Sequence, residues 1–240
     1  MSEVTIVATV DGAVAQRNDV LAWEDRRIDA AAKRLGVTVP AGAVDDRREV
    51  LLRKKIELGS EEITARLRRQ VRAADLVARA QVRVSAKRRR SVTELEVAGG
   101  SAAGFVDWFE RCTAESDEVA MLRACPDHFV IRTDADGRQV VVETTGGSPL
   151  PAMFTVDYAD TSTLVTPPDD AYPHQIAGVA RTANGTPIGG VRHQFRDTAD
   201  GFAARLTVEF PLPTPGRMVT AHSWHLACEF SNWVTAAHAQ

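Results

Sequence analysis

The sequence predicts an α+β protein in which a curved antiparallel sheet wraps around a long C-terminal helix, with a helical segment ahead of it. Three observations predict this. Apolar residues recur at helical spacing up to Val84 and then alternate from Val92. Short strand-like runs are separated by turn dipeptides such as Asn184-Gly185 and Asp200-Gly201. The last apolar stretch returns to helical spacing after Pro215.

Residues 4–10 read as a strand that ends at Asp11-Gly12, where glycine accepts a positive φ without steric cost. Leu21, Ile28 and Leu35 stand at heptad spacing and predict a helix over 17–35, ended by Gly36 and Pro40. A second helix is expected from Asp45 to Gly59. Ser60 would cap a third, with Glu61 and Glu62 complementing its positive end and Ile63, Leu67, Ala74, Val77 and Val84 forming one apolar seam. Residues 85–91, apolar only at Ala86, are expected to be an exposed linker. Residues 1–90 carry 20 Lys and Arg against 13 Asp and Glu, whereas residues 91–240 carry 9 against 19. The contrast predicts two units: a helical N-terminal segment, 1–90, and a ligand-binding or catalytic domain, 91–240. Narrow seams need cover from the second unit or from another copy of the chain, so a homodimer is expected.

A first strand of the new pattern covers 92–97, followed by short helices over 105–110 and 116–124. Residues 128–133 and 138–145 form a hairpin about Asp134-Ala-Asp-Gly137. Further strands are expected at 153–158, 175–181, 190–197 and 202–210. In the last of these, Phe202, Ala204, Leu206, Val208 and Phe210 alternate with Ala203, Arg205, Thr207 and Glu209, which predicts one buried and one wet face. The terminal helix is expected to run about 20 residues, with Thr214 as its cap and Pro215 at its first position. This order of elements is that of the START-like helix-grip fold, which leaves a ligand cavity between sheet and helix.

Several function classes are excluded. Cys112, Cys125 and Cys228 have no paired spacing, so free buried thiols are expected rather than a disulfide framework or a zinc ribbon. No glycine-rich phosphate loop, GxSxG elbow or HExxH motif occurs. Glu3 and the lack of a basic flank before Val4, with no apolar run near the roughly 20 residues of a spanning helix, lead to the expectation of a cytoplasmic protein with no membrane partner. Acids are interspersed among the N-terminal arginines and no recognition motif accompanies them, so no nucleic-acid partner is expected.

His225 and Glu229 are four apart on the terminal helix, the spacing that lets two side chains reach one ion or simply hydrogen-bond to each other. Leu226, Phe230 and Trp233 border that face and direct it toward the sheet. His128 opens the hairpin, and Glu143 lies on its partner strand within the apolar run Val140 to Val142. If Glu143 faces inward it needs a partner, and a divalent cation is the strongest available. Asp127 and Asp157 are alternatives to it. Arg192, Gln194 and Arg196 claim the outer face of their strand, which turns His193 and Phe195 toward the cavity. His193 is then a general base, an anchor for a substrate hydroxyl, or a core histidine.

The stretches Trp108-Phe109, Pro126-Asp127-His128 and His225-Leu-Ala-Cys-Glu229-Phe230 resemble the diacetylphloroglucinol and phloretin hydrolases. The resemblance implies a zinc-dependent hydrolase that cleaves a carbon–carbon bond between an acyl group and a phenolic ring, or in a 1,3-dicarbonyl compound. It implies a START-like domain behind a dimerising helical segment, and a metal held by two His and two Glu. His128, His225 and Glu229 match that set, and Glu143 matches it in order. Tyr158, Phe195 and Trp233 are then the expected contacts to a small aromatic or phenolic substrate, with His193 and Glu143 moving protons. The reading from fold alone is a non-hydrolytic helix-grip protein: a polyketide cyclase or a carrier of a hydrophobic aromatic ligand.

Overall fold

The computed structural model describes residues 4–239; Glu3 lies outside them. Strands β1 (Thr5–Val10) and β2 (Ala13–Ala15) come first, then helices α1 (Arg17–Leu35) and α2 (Val44–Val84). Strand β3 (Arg88–Ala98), helices α3 (Ala102–Ala114) and α4 (Glu118–Arg123) and the hairpin β4 (His128–Thr133) with β5 (Gln139–Glu143) follow. Strands β6 (Ala152–Asp157), β7 (His174–Arg181), β8 (Pro187–Asp197) and β9 (Gly201–Pro211) lead to helix α5 (Gly216–His238). No helix among the described residues is long and apolar enough to cross a membrane.

The nine strands among the described residues form one antiparallel sheet in the order β2-β1-β3-β9-β8-β7-β6-β5-β4. Its curvature is visible in what α5 touches. Thr93 on β3 donates to the Ser223 carbonyl at 2.8 Å, while His128 on edge strand β4 meets His225 at 3.0 Å, so strands far apart in the sheet reach the same helix. Between them lies an aromatic core. Phe105 of α3 contacts Phe195, Phe202 and Phe230 at ring separations of 5.2–6.0 Å, and each ring so buried stabilises the fold by about 1.5–3 kcal/mol.

The N-terminal seams are covered within the chain over part of their length, while Val77 and Val84 at the far end of α2 are 51% and 78% exposed. Ile28, Leu35, Leu51, Ile63 and Leu67 pack on Phe129, Val130 and Val142 of the β4–β5 hairpin, forming a second core on its outer side. Strand β1 pairs with β3 along residues 93–98. The boundary expected at residue 90 falls inside β3, and Arg88 to Arg90 begin that strand instead of forming a linker, because they pair with Glu209, Phe210 and Pro211 of β9.

Other differences have local causes. Gly59 breaks α2 with φ 74°, ψ 156°, a conformation that only glycine adopts readily, and so divides it where two helices were expected. Ser60 does not cap the second half: its hydroxyl donates to Glu118 at 2.9 Å and accepts no backbone N–H among the described residues. Helix α5 is capped by the backbone of Pro215, whose carbonyl accepts from Met218 and Val219, and not by Thr214. The face of β9 expected to be wet is covered too. Residues 158–173 fold back over it, with Val165 and Thr166 donating their N–H groups to Glu209, which is 2% exposed, and Asp169 donating to Gln194.

Candidate metal centre

A β-bulge makes the site. Strand β4 places Ile131 on the inner face and Val130 on the outer, which by simple alternation would turn Phe129 inward and His128 out. The register instead slips between His128 and Val130, pairing His128 with Glu143 and Val130 with Val142. Phe129 joins the outer core with Val130, and His128 turns inward opposite Glu143. The turn before it is fixed by the His128 N–H, which donates to the Cys125 carbonyl at 3.2 Å.

Helix α5 supplies the other half. His225 and Glu229, one turn apart, face the hairpin, and all four side chains converge. His128 Nε2 lies 3.0 Å from His225 Nε2, 2.9 Å from Glu229 Oε2 and 3.7 Å from Glu143 Oε2. His225 Nε2 lies 3.4 Å from Glu229 Oε2 and 3.7 Å from Glu143 Oε2. Exposure is at most 7% for any of the four. Glu143 therefore points inward. Two further buried residues, which sequence reasoning missed, belong to the cluster: Cys125 groups with His128 and His225, and His222 with Glu143 and His225, each group's donor atoms lying within 4.8 Å of one another. These buried groups can hold a metal ion. A signal for His222 was present in its i, i+3 spacing to His225.

Outer contacts orient the donors. His128 Nδ1 donates to the Met121 carbonyl at 3.3 Å, which leaves Nε2 with a free lone pair toward the centre. His225 Nδ1 faces the Cys125 thiol at 3.7 Å and Asp127 Oδ2 at 4.0 Å. Asp127 is thereby placed behind the centre. Its carboxylate is held by Arg27 at 2.7 and 2.9 Å and by Thr144 at 2.5 Å, a complete set of partners. Asp157 lies away from the centre, its carboxylate accepting from the backbone of Ala159 and facing Arg138. Lys55, 2% exposed, donates to the Cys125 carbonyl at 3.2 Å, and burial pushes its ammonium down to about 8.

Charge at the centre is uneven. Burial raises Glu143 to about 7, with Glu229 and Asp127 adding to the rise and His225 opposing it. Burial also works against ionised Glu229, yet His225 and His128 hold it below the ordinary carboxylate range. Burial holds His128 below its ordinary value despite Glu229. His193 is pushed down to about 4 by burial, opposed by Glu229, so it is neutral at physiological pH.

The centre opens into a cavity of about 490 Å³ between the sheet and α5, within the range of small-molecule sites. Ile131, Val141, Phe154, Val191 and Phe230 make its wall largely apolar. His193 lines it, 4.7 Å from the Phe230 ring and with Nδ1 unpartnered. Tyr158 lines it as well, donating to Gln139 at 3.0 Å, as does Trp233, whose Nε1 has no partner. Phe195 does not line the cavity. It is 0% exposed and packs in the aromatic core behind Phe230, because His193 and Gly190 to Val191, nearer the open end of β8, take the cavity wall.

No protein-family model matches the chain, and no curated protein matches it.

Proposed function

We propose that this chain is a metal-dependent hydrolase with a START-like helix-grip architecture, which cleaves a carbon–carbon bond of an acylated phenolic or 1,3-dicarbonyl compound. The observation that carries it is the spacing of His128, Glu143, His225 and Glu229. Their donor separations of 2.9–3.7 Å bracket the roughly 3.3–3.6 Å edges of a tetrahedron whose donors stand about 2.0–2.2 Å from zinc. A proton on His225 offsets only part of the charge and lone pairs of two carboxylates and two imidazoles buried together. An ion held there supplies Lewis acidity toward an acyl carbonyl and lowers the pKa of water.

The remaining residues fit an aromatic substrate. Phe154, Val191, Phe230 and the Trp233 ring offer apolar contact to a phenolic ring. Tyr158 and the unpartnered Trp233 Nε1 offer hydrogen bonds to its oxygens. Neutral His193 accepts a proton from a ring hydroxyl and returns one to the ring carbon that loses its acyl group, while Glu143, raised to about 7 by burial, is poised to take up or release a proton near neutrality. A cytoplasmic homodimer is the proposed state. Stoichiometric zinc in purified protein, with turnover of an acylphloroglucinol that chelation removes, is the expected result.

A second reading, a non-hydrolytic carrier or cyclase, draws on the largely apolar cavity wall, with the polar residues only orienting a bound ligand. Metal-free protein that still binds acylphenols would favour it.

A further inference from the structure

His222 precedes His225 by three residues on α5, so its imidazole shares the face that carries His225 and Glu229. It is 4% exposed, and its Nδ1 has no hydrogen-bond partner. A histidine that served only the core would recover its lost hydration through a hydrogen bond. His222 instead stacks on His225, centroids 5.0 Å apart and planes 11° apart, and meets Phe210 edge-on at 5.1 Å. These contacts fix the ring and engage no nitrogen. One of its nitrogens lies within 4.8 Å of both a Glu143 oxygen and a His225 nitrogen, and all three residues are buried.

We infer that His222 is a fifth protein donor to the ion at this centre, beside His128, Glu143, His225 and Glu229. The inference rests on the metal reading above and changes what that centre does. Four fixed donors close a tetrahedral ion to substrate, whereas five donors around an ion that tolerates four or five let one arm leave while the ion stays held. Glu143 is the arm placed to leave, since it stands 3.7 Å from both imidazoles while Glu229 stands at 2.9 and 3.4 Å. His222, whose donor atom lies within 4.8 Å of one on Glu143, would help hold an ion there if Glu143 withdrew.

Cobalt(II) is the probe, because five-coordinate cobalt absorbs weakly in the visible and four-coordinate cobalt strongly. The full chain is loaded with Co²⁺ alone, as wild type and as His222→Phe, which keeps the ring against His225 and Phe210 but removes both nitrogens. The wild type should give the weak five-coordinate spectrum; His222→Phe should give the intense four-coordinate one and bind Co²⁺ less tightly by more than the about 10–100-fold that loss of an outer hydrogen-bond partner costs. His222→Asn, read the same way, covers a packing failure of the phenylalanine variant. A four-coordinate wild-type spectrum unchanged in spectrum and affinity by either variant overturns the fifth donor and leaves the metal centre standing. A wild type that takes up no Co²⁺ overturns both.

Discussion

The Nε2 atoms of His128 and His225 stand 3.0 Å apart, although 97 residues separate them in the chain and they sit on opposite walls of the cavity. Two imidazole nitrogens held this close share either a proton or a cation. With Glu143 and Glu229 on the same atoms, a cation satisfies all four donors and a proton satisfies two.

His225→Ala and Glu229→Gln should each abolish metal retention through gel filtration. The loss should exceed the about 10–100-fold that follows removal of an outer hydrogen-bond partner, because a donor itself is gone. Far-UV circular dichroism should stay near wild type, since Leu226, Phe230 and Trp233 still pack α5 on its neighbours. Full metal occupancy in both variants would end the assignment of this helix to a metal.

His193 sets an acid limit on stability. Its folded value of about 4 lies below the ordinary 6.5, so between pH 6.5 and 4 the unfolded chain binds a proton that the folded chain refuses. Its contribution is intact above pH 6.5 and is lost as the pH falls toward 4, by up to about 1.4 kcal/mol per pH unit. His193→Phe removes this titration while keeping a ring against Phe230. Urea unfolding at several pH values should show the variant gaining on wild type as the pH falls through that window, and a constant difference would refute the buried neutral imidazole.

Much of this arrangement was legible where a single residue enforces it. Helix α1 ends where expected because Gly36 takes a left-handed conformation, and α2 breaks at Gly59 for the same reason. Strands β7 to β9 were legible from alternation bounded by turn glycines. The bulge between His128 and Val130 was not, since an extra residue in one strand leaves no compositional trace, and the face of Glu143 stayed undecided because Val140 to Val142 are apolar on both sides of β5. Nor was the pairing of β1 with β3, a contact across two intervening helices that no local pattern encodes. Phe195 misled for a related reason. Alternation gives the inward face of β8 but not the point along it where the cavity stops and packed core begins.

The N-terminal helices buttress the centre, and Arg27 is where this can be measured. It forms a two-pronged pair with Asp127, whose side chain is 0% exposed and which lies behind His225. Arg27→Ala leaves a buried carboxylate with Thr144 alone, and should lower unfolding free energy by about 3–5 kcal/mol. Adding Asp127→Asn should recover part of that loss, because the orphaned charge goes with it. A double variant as unstable as Arg27→Ala would show that lost packing, not the unpaired charge, sets the loss. Deleting residues 1–85 removes the same support along with β1, uncovers Phe129, Val130 and Val142, and should yield protein that aggregates.

Phe195 separates binding from packing. Truncating a ring buried against Phe105, Phe202 and Phe230 leaves a void that close-packed neighbours fill only in part, so Phe195→Ala should lower stability by about 3–5 kcal/mol. Since Phe230 stands between this ring and the cavity wall, affinity for a neutral acylphenol, measured where the variant is still folded, should stay close to wild type. Tyr158→Phe should behave in the opposite way. It retains the ring that packs edge-on against Phe109 and loses only the hydroxyl on Gln139, so stability should change by about 1 kcal/mol while affinity for the phenol falls several-fold. A tenfold weaker acylphenol complex in folded Phe195→Ala, with Tyr158→Phe unaffected, would reverse the two assignments and extend the binding surface past Phe230 into what is now read as core.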